Sequence, residues 1–180
     1  KNAGLTVKFN DVKAAPLGCQ WVGQLEADQF VANSLSSSQS DVPDNAPKAI
    51  ILEPSRELAE QTHNCIMSFK KYLSGEIRQC LAVGGISAKE HIHQLQSGVD
   101  IVTGTIGRVN ELINSGHLSL KSCRFFIIDE VDAFLAQGNN NTILQLHSKI
   151  PRMFADGKRL QMIVCSATLH NFDVKKLAEK

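Results

Sequence analysis

From Lys48 onward the chain alternates short apolar runs with longer stretches of helical periodicity, and that alternation confines it to one fold class. The strand candidates are Ala49–Leu52, Ile77–Val83, Asp100–Thr103, Phe125–Asp129 and Gln161–Cys165. Between them the patterning predicts helices over Arg56–Leu73, Ser87–Gln96 and Gly107–Asn114. It also predicts a helical region from Glu130 to Phe154, broken near Gly138, and a last helix from Asn171. Ser87 and Glu90 have capping-box spacing, and Gly75, Gly98 and Gly116 fall where helices stop. The apolar runs carry no wet face, as strands covered by helices on both sides do not, and each connection is long enough for a crossover helix. The expected fold is α/β, a parallel sheet flanked by helices.

Size and charge narrow the function. In 180 residues there is room for one domain and a flanking segment, and 43% hydrophobic residues supply a core that needs no disulfide or metal. Nineteen Lys plus Arg against eighteen Asp plus Glu leave a formal +1, so any nucleic-acid binding must come from local phosphate contacts. The five cysteines, at 19, 65, 80, 123 and 165, are too far apart for compact zinc patterns. They read as mostly buried thiols of an intracellular protein in a reducing compartment. Every apolar run is too short to span a bilayer, so no membrane partner is expected. The chain opens on Lys1 with neither initiator Met nor secretory signal, and is read as part of something longer.

The first 45 residues are patterned differently. Leu5, Val7 and Phe9 alternate with polar residues like one half-wet strand, and Ser34 to Asp44 is a polar run closed by Pro43 and Pro47. A domain boundary is expected near residue 46.

Open parallel sheets bind ligands beyond the carboxyl ends of their strands. After the first strand comes Pro54-Ser55-Arg56-Glu57, and after the second Gly84-Gly85. The third is followed by Thr103-Gly-Thr-Ile-Gly-Arg108, the fourth by Asp129-Glu130-Val131-Asp132, and the fifth by Ser166-Ala167-Thr168. An acid fixed at a strand end suits a hydrated Mg²⁺, and a neighbouring Glu suits orienting or deprotonating a water. Hydroxyls, guanidinium groups and backbone N–H groups at helix starts suit phosphate oxygens. Taken singly each element has a plainer reading: the acids as a helix N-cap, Gly-Gly as a turn, Pro-Ser-Arg as a helix start. Five in this order, all at one sheet edge, make a site. His91 and His93 point to different helix faces and read as surface histidines, Cys165 as a packing residue, and Lys70-Lys71 as a solvated face.

These motifs together resemble the first of the two RecA-like domains of DEAD-box RNA helicases. Pro54–Gln61 resembles motif Ia, Gly84-Gly85 the GG element and Thr105–Arg108 motif Ib. Asp129–Asp132 resembles motif II and Ser166–Thr168 motif III. The likeness covers residues 46–180. Ala46-Pro-Lys-Ala49, Cys165–His170 and Phe172–Lys176 are also similar to a family member with a SPRY domain inserted between motifs I and Ia. Residues 1–45 would then be the tail of a SPRY-like insert plus linker, with protein partners reached through the SPRY domain.

The resemblance implies an ATP-dependent RNA helicase of the nucleus or cytoplasm, with ATP and Mg²⁺ as cofactors. Asp129 would hold Mg²⁺ through water and Glu130 would position the attacking water, both at the nucleotide. Asp132 would pair with Ser166 and Thr168, coupling nucleotide to RNA. Pro54, Ser55, Arg56, Gly84, Gly85, Thr105, Gly107 and Arg108 would line a groove for the RNA sugar-phosphate backbone.

Three positions depart from the family pattern: Val131 for Ala, Ser55 for Thr, and Ile106 for the Pro of motif Ib, whose loss is expected to loosen that loop. No G-x-x-x-x-G-K-[ST] run occurs in these 180 residues. The chain alone is therefore expected neither to hydrolyse ATP nor to unwind RNA. The alternative is a truncated, non-catalytic module that binds RNA or protein.

Overall fold

The computed structural model describes residues 43–73 and 75–167. The half-wet strand at Leu5–Phe9, most of the polar run, the helix from Asn171 and Thr168 lie outside the described residues. Five parallel strands form one sheet: β1 (Ala49–Glu53), β2 (Gln79–Ala82), β3 (Ile101–Thr105), β4 (Phe125–Ile128) and β5 (Gln161–Val164), in the order β2-β3-β1-β4-β5. The helices are α1 (Arg56–Lys70), α2 (Ala88–Gln96), α3 (Ile106–Asn114), α4 (Val131–Ala136) and α5 (Asn140–Lys149). The parallel α/β expectation holds. Each strand falls where an apolar run predicted it, although β1 gains Glu53, β3 gains Gly104 and Thr105, and β2 is shorter at both ends.

Local signals set the boundaries. Ser55 and Ser87 cap α1 and α2, each hydroxyl accepting an N–H from three residues on at 3.2 Å. Gly138 (φ 76°) divides the long helical pattern into α4 and α5. The strands then alternate side chains between two faces. On one face Ile50, Leu52, Cys80, Ala82, Val102, Phe126 and Ile128 meet Leu95, Val109, Leu112, Phe134, Ile143 and Leu146 from the helices to form the main core. Phe126 and Phe134 are among its largest fully buried side chains, each worth about 2–3 kcal/mol of burial.

The other face carries Glu53, Gln79 and Thr103 and is covered by α1, whose seat is partly polar. Thr62 Oγ1 donates to Glu53 Oε1 at 2.6 Å, and the Gln79 amide donates to the His63 carbonyl at 3.4 Å. Burial, then the nearby charge of Lys70, holds His63 below its ordinary 6.5, and burial followed by Arg152 does the same to His147. A histidine whose folded pKa is lowered is neutral in the fold and binds more protons when unfolded, so stability rises with pH. The contribution is complete above the unfolded value near 6.5 and declines as pH falls below it. Urea midpoints should therefore drop between about pH 7.5 and pH 5.5, and His63→Gln should shrink that difference. An unchanged difference would remove His63 from the acid response.

Two sequence expectations need correcting here. His91 is not a surface residue but fully buried, its Nε2–H donating to the Leu81 carbonyl at 3.0 Å. It lies on the inner face of α2, one turn before Leu95. Lys70 is half-buried, and its ammonium reaches the Ile77 carbonyl at 3.3 Å, so only Lys71 of the pair is fully on a wet face. The thiols divide: burial pushes Cys80 up to about 11 and Cys123 up to about 12, which makes both unreactive, while Cys65 is exposed on α1.

Candidate functional site

All five strands run the same way, so their carboxyl ends share one edge, where the sequence placed its polar residues. The acids of motif II pattern are held by the backbone. Asp129 follows β4 directly, its N–H donating to the Leu52 carbonyl at 3.0 Å, while its Oδ1 accepts the Glu130 N–H at 2.9 Å. Glu130 is exposed and sits at φ 45°, ψ 51°. It is the sole non-glycine with positive φ among the described residues. Its neighbour Val131 donates to the Cys165 carbonyl at 2.9 Å, tying the start of α4 to the segment that leads into Ser166. Asp132 and Ser166 are both half-buried on the two sides of that tie.

Sequence reading missed Glu53, which the structure places beside these acids. It ends β1, between Thr105 on one side and the chain leading into Asp129 on the other, and is 1% exposed. Burial first, then the charges of Asp129 and Glu130, raise its carboxyl above the ordinary range, while the Thr62 hydrogen bond pulls it back. The available signal was a charge closing an otherwise apolar run, Ala-Ile-Ile-Leu-Glu, immediately before Pro54.

The phosphate-type residues converge on one loop. Arg56 Nη1 donates to the Gly84 carbonyl at 3.3 Å, and Arg108 Nη2 donates to the Ile86 carbonyl at 3.1 Å. Two arginines from the starts of two helices thus hold the Gly84–Ile86 loop from its two ends. Gly85, between them, has φ +85°, and a Cβ there would lie 2.6 Å from Arg56 Nη1. Glycine gives both the left-handed turn and the room for the guanidinium.

The two helix starts differ. Ser55 Oγ accepts the Leu58 N–H, and its hydroxyl also hydrogen-bonds the Glu57 carboxylate, which helps hold that carboxyl below its ordinary range after the backbone hydrogen bond of Glu57 itself. Thr105 makes no side-chain cap, so the first N–H groups of α3, including those of Gly107 and Arg108, have no side-chain cap at their disposal. Ile106, which stands where the family's motif Ib has Pro, is 9% exposed and packs into the main core. Burial anchors the first residue of α3 in place of a fixed φ. Pro54 is half-buried in the β1–α1 turn, Gly84 and Gly85 are exposed in the loop after β2, and Gly107 has open space around its Cα.

The edge therefore presents a strand-end acid pair and, a few strands away, a loop clamped by two arginines. Among the described residues no group of three or more His, Cys, Asp or Glu side chains could hold a metal ion by itself. A single fixed carboxylate fits a hydrated cation whose other ligands are water and substrate phosphate, the usual habit of Mg²⁺.

Polar residues gathered at the carboxyl edge of an open parallel sheet mark the ligand site of an α/β domain, and comparison with known proteins makes that specific. A DEAD/DEAH box helicase family model matches residues 29–177. The chain is 49% identical over 190 residues to the ATP-dependent RNA helicase Ddx1 of Drosophila melanogaster, spanning all of this chain and 26% of that protein. It is 54% identical over 159 residues to the ATP-dependent RNA helicase DDX1 of Xenopus laevis, spanning 88% of this chain and 21% of that protein. Among solved structures, a DEAD box protein from Methanococcus jannaschii superposes with TM-score 0.69 at 29% identity, over 91% of this chain and 41% of that one. The yeast DEAD-box splicing factor Prp28 gives TM-score 0.69 at 25% identity, over 83% and 34% of the two chains.

The chain belongs to the DEAD/DEAH box helicase family, and its sheet is a RecA-like domain of the kind those structures contain. It spans about a quarter of the length of the curated relatives it matches.

Proposed function

We propose that this chain is the motif Ia to motif III segment of an ATP-dependent RNA helicase that couples ATP hydrolysis to local unwinding of RNA duplexes. The observation that carries the reading is the convergence of Arg56 and Arg108 on the Gly84–Ile86 loop, at the same sheet edge as Asp129 and Glu130. Identity near one half to two ATP-dependent RNA helicases favours it over a non-catalytic module.

Arg56, Arg108, the Ser55 and Thr105 hydroxyls, the N–H groups opening α3 and the Pro54 and Gly84–Gly85 turns line a track for RNA phosphate and sugar. Such contacts carry no base information, so binding is independent of sequence. Asp129 holds the hydrated Mg²⁺ of ATP. Glu130, exposed at the edge, orients the attacking water and accepts its proton. When bound, Mg²⁺·ATP supplies the electrophilic phosphorus and neutralises the developing charge. Asp132 with Ser166 and Thr168 couples the two stations, across the backbone tie between Val131 and Cys165. The phosphate loop belongs to the longer protein. Residues 1–45 are the tail of a SPRY-like insert and its linker, through which protein partners dock in the nucleus or cytoplasm.

The test is Arg56→Ala in the longer protein. Affinity for short single-stranded RNAs of unrelated sequence should fall together, by roughly three- to tenfold. The slope of log affinity against log salt should become shallower by about one. A loss confined to one RNA sequence would count against a backbone track.

A further inference from the structure

The two arginines that clamp the loop share a second feature. Arg56 Nε donates to Glu60 Oε1 at 2.7 Å, one turn further along α1. Arg108 Nη1 donates to both Glu111 oxygens at 3.1 Å, one turn further along α3. On each side of Gly85 the construction is the same: one guanidinium, one loop carbonyl and one carboxylate from its own helix. We propose that Glu60 and Glu111 are built-in counter-ions of the RNA track, a pair of specificity-determining residues that hold the track neutral until RNA phosphate displaces them. The proposal rests on the RNA-track reading above.

Neither acid is needed to place its arginine. Gly84 O and Ile86 O hold the guanidinium groups through separate N–H groups, and α1 is independently capped by Ser55. Neither carboxylate is buried in the fold: the Glu60 and Glu111 side chains are 39% and 60% exposed, and the exposed Arg56–Glu60 pair, one turn apart, contributes little to stability. Their consequence is electrostatic. A phosphate approaching Arg56 or Arg108 also approaches a carboxylate about 3 Å from the same guanidinium, and must overcome that repulsion. A track neutralised in this way rejects stray polyanions that offer one or two phosphates. It accepts a strand whose many phosphates engage both arginines and the α3 amides together. The near-zero net charge of the whole chain fits the same economy, since no bulk field draws RNA in.

The experiment uses the longer protein and a short labelled oligouridylate. Glu60→Gln and Glu111→Gln keep the shape and an acceptor oxygen while removing the charge. Each should tighten binding about threefold and the pair about tenfold at low salt, with the gain shrinking as salt screens it. Inorganic tripolyphosphate should compete better against the double variant than against the parent. The gain from Glu60→Gln should vanish in an Arg56→Ala background, because it acts through that arginine. Glu76→Gln removes the same charge near the opposite end of β2 and should change affinity less than twofold. Unchanged or weakened binding in the double variant, with Arg56→Ala and Arg108→Ala still weakening it, overturns the counter-ion role alone. Binding insensitive to both arginine variants overturns the track reading and the proposal with it.

Discussion

Glu130→Gln in the longer protein is expected to lower RNA-stimulated ATP turnover by about 10²–10³-fold while leaving RNA affinity within about twofold. The amide keeps the size and hydrogen-bonding reach of the carboxylate but cannot take a proton from water. The backbone makes the substitution clean. Residues 129–131 are pinned by Asp129 N–H to Leu52 O, Glu130 N–H to Asp129 Oδ1, and Val131 N–H to Cys165 O, all between 2.9 and 3.0 Å. Those bonds hold position 130 in the left-handed region whatever its side chain, and for a non-glycine that conformation costs about 1 kcal/mol or more. Glu130→Gln keeps that strain. Glu130→Gly removes it together with the carboxylate, and should raise the unfolding free energy by up to about 1 kcal/mol while turnover still falls. Opposite signs in stability and activity at one residue would mark strain retained for function. Phosphate release and RNA anisotropy on the same preparations check both, and unchanged turnover in Glu130→Gln would falsify the role given to Glu130.

What was legible in the sequence followed from periodicity and from one rule. Apolar runs with no wet face mean buried parallel strands, and parallel strands end together, so residues far apart in sequence could be assigned to one edge. What was not legible depended on side-chain contacts across long separations. Arg56 and Glu60 are one helical turn apart and could be paired on spacing, but Arg56 and Gly84 are 28 residues apart and only the fold brings them together. Glu53 is easily passed over because a carboxylate after four apolar residues reads as the first residue outside a strand, whereas β1 includes it as its last residue and α1 closes above it. His91 misled for a related reason: a histidine flanked by Glu90 and another histidine two residues on reads as surface until α2 is seen to turn it towards Leu81. The left-handed backbone at Glu130 has no sequence signal, since glycine or asparagine would have been expected there.

Gly104→Ala is expected to destabilise the domain by about 3 kcal/mol, at the upper end for overpacking. Sequence patterning assigned Gly104 to the loop after the third strand, where extra methyl groups are tolerated. The structure runs β3 through it. Its neighbour across the sheet is Ala82 of β2, fully buried, and a Cβ on Gly104 would collide with the Ala82 carbonyl oxygen and lie 2.9 Å from the Ala82 side chain. That oxygen is backbone and cannot swing aside as a side chain does, so relief means separating β2 from β3 where the two strands carry the Gly84–Ile86 loop and Thr105. A glycine inside a strand ordinarily weakens it, and it is tolerated here because another backbone approaches closely. Gly107, three residues on, is the matched comparison. Nothing lies within 4 Å of a Cβ placed there, and it falls in the first turn of α3, so Gly107→Ala should be neutral or stabilising by up to about 1 kcal/mol. Both substitutions add one methyl within motif Ib or beside it, and denaturant unfolding of the two variants separates crowding from chemistry. If RNA binding falls in Gly107→Ala with stability intact, the added methyl blocks phosphate at the α3 start. If Gly104→Ala unfolds at the parent midpoint, the close approach of β2 and β3 is not what glycine serves.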